Sequence, residues 1–216
     1  MYNKIRNDKE IIEIYEKVNE LENNTDAWAH HDFTHVLNVA HIAEEVLTKL
    51  NYPEDIIEDT KVAALLHDTG ATLGKKNHAE RSYIFAKDYL IRNNIKLKHH
   101  EEVLEAIRIH SDGFDTDNII ALALIFADKL DITKDRVAHY GINVEGMRQL
   151  IYITDIKIKI EDGKINVYLE ADQKIDIKEL MDFYFIQKVL KSVQAFSEKL
   201  NLGFNVYLND ISLVLK

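Results

Sequence analysis

Apolar residues recur at helical spacing through the first two thirds of the chain and alternate with polar ones in the last third. Ile11, Tyr15, Val18 and Leu21 predict a helix over residues 8 to 23, with Asn23 and Asn24 as its stop. A polar loop from Thr25 to Asp32 follows. Val36, Val39, Ala43, Val46 and Leu50 then mark one face of a second helix, about 33 to 50. Pro53 opens a third, since proline suits the first helical turn, and Gly70 marks its end. Further helices are expected over about 78 to 93 and 98 to 110. The stretch from about 117 to 132 is apolar nearly all round until Asp128, which predicts a helix at the centre of a bundle.

After about residue 151 the period changes from helical to alternating. Ile156, Ile158 and Ile160 alternate with Lys157 and Lys159, then Asp162-Gly163 makes a turn, then Ile165, Val167 and Leu169 alternate again. This is a hairpin signal. A helix over about 177 to 200 and a further alternating run follow, with a shift of phase at Asn209-Asp210 that implies a bulge or a turn. The expected architecture is mostly α: a helical bundle over residues 1 to 151 with a small α+β appendage, hairpin, helix and strand, over 152 to 216.

Composition narrows the choices. The formal net charge of −10 argues against a sequence-independent nucleic-acid binder, which needs cations to neutralise phosphates. It leaves room for a small anionic substrate held by a few local cations. Cysteine is absent, which removes disulfides, thiolate metal sites and cysteine nucleophiles. The amino terminus shows no signal-peptide pattern, and no apolar run approaches the ~20 residues of a membrane span. A cytoplasmic location is expected, with self-association into a homo-oligomer left open.

The candidate chemistry starts at Ala63-Ala64-Leu65-Leu66-His67-Asp68, where an aliphatic run ends in two ionisable side chains. A carboxylate in such surroundings is costly without a partner, and at a helix C-terminus it also opposes the dipole. Asp128 repeats the situation in the central helix. His35, His67, His78 and His110 stand at matching helix ends, and imidazole nitrogens with carboxylate oxygens suit zinc, iron(II), manganese(II) or similar ions. His31-Asp32 is a second His-Asp pair, but it lies in a polar loop where Asp32 is a natural N-cap. His99-His100, beside Glu101-Glu102, suggests a solvated face and stands in reserve should His110 not serve.

The order His35, His67-Asp68, Asp128, within the segments FTHVLNVAHIA, VAALLHDTG and IFADKLD, resembles the HD-domain superfamily of metal-dependent phosphohydrolases over roughly residues 30 to 136. His78 and His110 are similar to the extra histidines of its two-metal branch. The Gly-Tyr-Pro that marks the cyclic-di-GMP phosphodiesterases of that branch is missing after Asp112-Gly113. The resemblance implies one or two divalent ions of the Fe, Mn, Zn, Ni or Mg class. His35, His67, Asp68 and Asp128 would hold the first, and Asp68 would bridge to a second on His78 and His110. It implies hydrolysis of a phosphate ester or anhydride by a metal-activated water, with a nucleotide as the expected substrate. Lys75 and Lys129 are assigned to the reaction with Asp68, and Lys76 and Arg81 to the substrate phosphate. The competing expectation is a regulatory module that binds a nucleotide without turning it over. A third, a scaffold with a purely structural metal, leaves an open coordination position unexplained.

Overall fold

The computed structural model describes residues 1–215. Its helices are α1 (Tyr2–Arg6), α2 (Lys9–Asn23), α3 (Phe33–Lys49), α4 (Glu54–Leu66), α5 (His78–Arg92), α6 (His100–Ile109), α7 (Ile119–Leu130), α8 (Ile177–Asp182) and α9 (Tyr184–Lys199). Strands β1 (Ile153–Glu161), β2 (Lys164–Ala171), β3 (Gly203–Leu208) and β4 (Ile211–Leu213) form one sheet in the order β1-β2-β3-β4. The fold is mostly α-helical with a carboxyl-terminal sheet. Among the described residues no helix is long and apolar enough to cross a membrane.

The central position expected for α7 is found: every residue from Ile120 to Leu130 is buried. One side of it joins a core with α2 to α6, through Ile120, Ala121, Leu124 and Ala127. Its other side, through Leu122, Ala123, Phe126 and Leu130, packs with Ile165, Val167 and Leu169 of β2 and Val189, Val193 and Phe196 of α9. The rings of Phe126 and Phe196 lie 4.9 Å apart. The sheet unit therefore shares its core with the bundle, because a strongly apolar helix must be covered on all sides.

The sheet bears out the alternation. Asp162 (φ 51°) and Gly163 (φ 70°) make the tight turn between the antiparallel strands β1 and β2, a conformation that Asp-Gly accepts readily. β2 and β3 run parallel, joined through α8 and α9, and the phase shift at Asn209-Asp210 is a turn into the short strand β4. The appendage thus ends in a second antiparallel pair rather than a single strand.

Several helix boundaries differ from expectation. α4 stops at Leu66, and residues 69–73 form a 3-10 turn. Gly70 is needed there for close approach: a Cβ would lie 2.4 Å from the His78 carbonyl oxygen and 2.5 Å from the Ser82 nitrogen of α5. α6 starts at His100 rather than near residue 98. The long helix expected over 177 to 200 is broken at Phe183, whose extended backbone (ψ 126°) ends α8 and opens α9. The break turns Phe183, Tyr184 and Phe185 towards a cavity rather than along a helix face.

Candidate metal centre and the chamber beside it

The end of α4 is built to present His67 and Asp68. A helix C-terminus leaves carbonyls without intrahelical partners, and here three in a row receive side-chain donors. His67 Nδ1 lies 2.8 Å from the Ala64 oxygen, the Tyr15 hydroxyl donates to Leu65 at 2.7 Å, and Thr69 Oγ1 donates to Leu66 at 2.8 Å. His110 repeats the device at the end of α6, with Nδ1 2.7 Å from the Ile107 oxygen. His78, first residue of α5, places Nδ1 2.7 Å from the Lys75 oxygen. His35, in the first turn of α3, places Nδ1 2.7 Å from Asp131 Oδ2, and Asn38 Nδ2 donates to the other oxygen of Asp131 at 3.1 Å. A carbonyl or carboxylate at Nδ1 fixes the tautomer with the proton on that nitrogen and leaves Nε2 with a free lone pair.

Those Nε2 atoms converge on Asp68. Its Oδ2 is 3.2 Å from His67 Nε2 and 3.5 Å from His35 Nε2. Its Oδ1 is 3.1 Å from His78 Nε2 and 3.5 Å from His110 Nε2. Asp128 Oδ1 lies 3.3 Å from His35 Nε2 and 3.9 Å from His67 Nε2. All six residues are buried. Two overlapping groups have donor atoms close enough to share an ion: His35, His67 and Asp128, and His67, Asp68 and His110.

The donor set fits divalent cations for reasons internal to the site. Both oxygens of Asp68 and the Nε2 atoms of His35 and His67 are buried without a hydrogen-bond partner, which is costly in a packed interior. His78 and His110 face each other Nε2 to Nε2 at 2.9 Å. With both Nδ1 protons committed to carbonyls, two lone pairs meet there, and only a cation or a proton between them relieves the repulsion. Imidazole and carboxylate donors without thiolate match transition ions better than calcium, which wants all-oxygen coordination.

The charges agree. Burial opposes ionisation of Asp68, yet the facing histidines His67, His31, His110 and His35 hold it well below the usual carboxylate range. Asp128 is likewise held low against burial, by Lys129 first and then by His35 and His67. Burial and Arg136 oppose a charge on His35, but the carboxylates of Asp128, Asp131 and Asp68 around it outweigh them and raise it to about 10, so an ion on Nε2 would take the place of a proton there. Burial pushes His110 down to about 4, leaving it a neutral donor. The carboxylates thus call for positive charge at the centre, and His110 leaves its lone pair available to it.

Residues 32–133 match the family model of the HD domain. The chain carries an HD domain. That match and the two His/Asp groups are consistent with the superfamily of metal-dependent phosphohydrolases. Among curated proteins nothing matches the chain. The six ligand candidates lie within residues 32–133.

The remaining assignments divide. Lys129 is buried beside the centre, its Nζ 2.5 Å from Asp128 Oδ2 and 3.5 Å from the His110 carbonyl oxygen. Lys75 lines the small well over the metal centre. Arg81 is corrected: its guanidinium bonds the carbonyls of Gly70 (2.8 Å), Lys76 (2.5 Å) and Gly74, so it braces the 3-10 turn instead of reaching a phosphate. Lys76 is exposed and lines neither the well nor the chamber described below, so it too is not brought to the site. Asp32 caps α3 through the His35 nitrogen at 3.0 Å, as expected. His99 is tied to Asp55 and Asp59 at the far end of α4, remote from the centre.

Four features escape the sequence pattern. His31 is buried against the centre, its ring 6.0 Å from that of His35 and 6.2 Å from that of His78. Glu22 receives its Nδ1 at 2.6 Å and its backbone N–H at 2.8 Å. Burial and Arg136 push His31 down to about 3. Asp131 orients His35, and the motif IFADKLD already contained it. Arg136 and the aromatic run Phe183 to Phe185 come to the site from beyond the HD match.

These last residues help enclose a chamber of about 760 Å³ next to the metal well. His31, Lys75, His78, Arg136, Tyr184 and Phe185 line both, so the two spaces adjoin. The rest of the wall is mainly apolar, with Leu21, Ala27, Trp28, Leu73, Met147 and Phe183. A cavity of this size with a few polar groups at one end has the form of a small-molecule site.

Proposed function

We propose that this protein is a metal-dependent phosphohydrolase acting on a phosphate ester or anhydride of a nucleotide. The observation that carries the reading is the pair of histidine sets facing opposite oxygens of one buried carboxylate, Asp68. His35, His67, Asp68 and Asp128 would hold one ion, and Asp68, His78 and His110 a second, of the Fe, Mn, Zn or Ni class. When bound, divalent ions supply a nucleophilic water at neutral pH and stabilise charge on the phosphoryl oxygens.

The chain's own groups do the rest. Lys129 offsets the charge of Asp128 from within the wall, and Lys75 stands where the well opens into the chamber and would orient a phosphate oxygen. Tyr184 and Phe185 line both the well and the chamber and would limit access of bulk water. The chamber would take the nucleoside. A nucleotide-binding regulator remains the second reading, and turnover separates the two.

The deciding experiment is metal analysis of the purified protein together with a phosphate-release screen over nucleotides with zinc, manganese, iron and magnesium in turn. Turnover is expected with a transition ion and lost on chelation. Asp68→Asn should lower both metal content and rate, the rate by roughly 10²–10³-fold or more, the effect of removing one charge-stabilising group. Asp32→Ala should keep its metal and lose about 1 kcal/mol of stability from the missing cap. Full activity after exhaustive chelation would overturn the reading.

A further inference from the structure

Arg136 is 4% exposed, and neither its Nε nor its Nη1 has a hydrogen-bond partner. Its Nη2 reaches Asp128 Oδ1 only at 3.8 Å. A guanidinium carries five donors and keeps its charge in any protein environment. Burying one with most of its donors unused is costly unless an anion completes it. Asp128 does not, because its other oxygen is taken by Lys129 at 2.5 Å. Arg136 lines both the metal well and the chamber, so an anion at their junction would meet it.

The backbone holds Arg136 in place beside an aromatic side chain. Ala29 and Val137 form an antiparallel bridge. His30 donates to the Arg136 carbonyl at 2.9 Å and Ala138 donates to the Trp28 carbonyl at 3.1 Å. Gly141 supports this pairing, since a Cβ there would lie 2.1 Å from the Trp28 oxygen. On this ladder Arg136 stands opposite His30 and Trp28 opposite Ala138, which places Trp28 and Arg136 diagonally across it on one face. Trp28, Leu73 and Tyr184 are 41%, 78% and 56% exposed, large for apolar side chains, and all three line the chamber. Apolar surface gathered around a concavity marks a binding site.

We propose that Arg136 receives a substrate phosphate at the junction of well and chamber, and that the chamber takes an aromatic group attached to that phosphate. The substrate class is then an aromatic organic phosphate, not a small and wholly polar one. This deepens the phosphohydrolase reading and rests on it for the word substrate. The binding it describes can be measured without turnover. Guanidinium and phosphate match as a two-pronged pair, and the indole and phenyl rings offer stacking faces of low conformational cost. Both groups come from outside the HD match, so this selectivity belongs to the chain's flanking segments.

Trp28 is the sole tryptophan, so its fluorescence reports on the chamber directly. The probe is phenylphosphonate, whose carbon–phosphorus bond resists hydrolysis, titrated into the purified protein before and after chelation. Phenol and inorganic phosphate serve as its two halves. Saturable binding of phenylphosphonate is expected, tighter than either half by about tenfold or more. Arg136→Gln should weaken it about 10- to 100-fold, the worth of charge-assisted hydrogen bonds, and leave phenol within about twofold. Arg136→Lys should recover only part, since it keeps the charge and loses the fork.

Three results would each overturn the proposal: unchanged phenylphosphonate binding in Arg136→Gln, either half binding as tightly as the whole, or no saturable response in the folded parent. Should Arg136→Gln fail to fold by circular dichroism, Arg136→Lys decides, and a weakening below about twofold counts against the proposal. Phosphate release from nucleotides is followed separately. Its absence alongside Arg136-dependent binding removes the phosphohydrolase reading alone. Turnover indifferent to Arg136→Gln removes this proposal alone.

Discussion

The metal well and the chamber adjoin, yet they are made in different ways. The six ligand candidates of the well fall within residues 32–133, and the Nδ1 of each of its four histidines is held by a carbonyl or carboxylate oxygen. The chamber is walled largely by residues from the α2–α3 loop, the strap at Arg136, Met147 and the Phe183–Phe185 break, most of which lie outside that segment. The well is rigid because helix ends need donors for their orphan carbonyls, and histidines meet that need while turning Nε2 inward. The chamber is defined by which side chains several separate segments bring together, the turn at Ala71 to Lys75 among them. On the proposed reading, chemistry and selectivity would draw largely on different stretches of one chain, joined at the residues that line both spaces.

The sharpest way to break this division is inside the well. His78→Ala with His110→Ala removes the set facing Asp68 Oδ1 and leaves the set facing Oδ2. Metal content should fall from two ions per chain to one, and turnover by roughly 10²–10³-fold, with little change in binding of an aromatic phosphonate. Metal analysis and single-turnover kinetics check this. An unchanged ion count would assign the two histidines to the substrate instead.

Asp131→Asn is a gentler change to the same region. Asp131 holds His35 Nδ1 at 2.7 Å without facing the centre itself. Losing that charge should weaken metal affinity about 10- to 100-fold, as for other residues that orient metal-ligating histidines. Competition with a fluorescent chelator measures it, and an unchanged affinity would show that α3 alone positions His35.

The chamber should respond differently. Trp28→Ala removes a ring from the rim, and the loss should appear in KM, about three- to tenfold, with kcat nearly constant, because a rim contact binds ground and transition states alike. A fall in kcat with KM unchanged would tie the chamber to the chemical step.

A further expected effect concerns acid and is read in stability rather than activity. His31 is held near 3 in the folded chain, against 6.5 for an ordinary histidine. Between those values the unfolded chain binds the extra proton, so the stability gained by keeping His31 neutral is complete above about pH 6.5 and is lost as pH falls towards 3. His31→Gln should flatten that part of the profile. Urea midpoints of both chelated proteins between pH 7 and pH 4 test it, and parallel slopes would contradict the assignment.

Much of this molecule could be read along the chain. The helix faces of α2, α3 and α7, the Asp162-Gly163 hairpin and the order His35, His67-Asp68, Asp128 are local patterns, and periodicity or turn chemistry reports them directly. Asp68 and Asp128 stood out because an acid within an apolar run demands a partner. Arg81 misled for the opposite reason. A cation near a ligand looks like a phosphate contact until its three carbonyl acceptors in the neighbouring turn are seen. The break at Phe183 was hidden because the apolar period continues across it, and only the backbone shows the extended residue.

By itself the sequence determined which residues could ligate an ion and which segments could be helix or strand, because both follow from side-chain type and short-range spacing. Only the tertiary structure decided that Asp68 presents one oxygen to each histidine pair, that His31 rather than Asp32 reaches the centre, and that Trp28, Arg136 and Phe183 meet around one chamber. Those outcomes depend on how α7 is covered on both sides, a packing of residues far apart in sequence. Spacing along a chain carries no record of such distances.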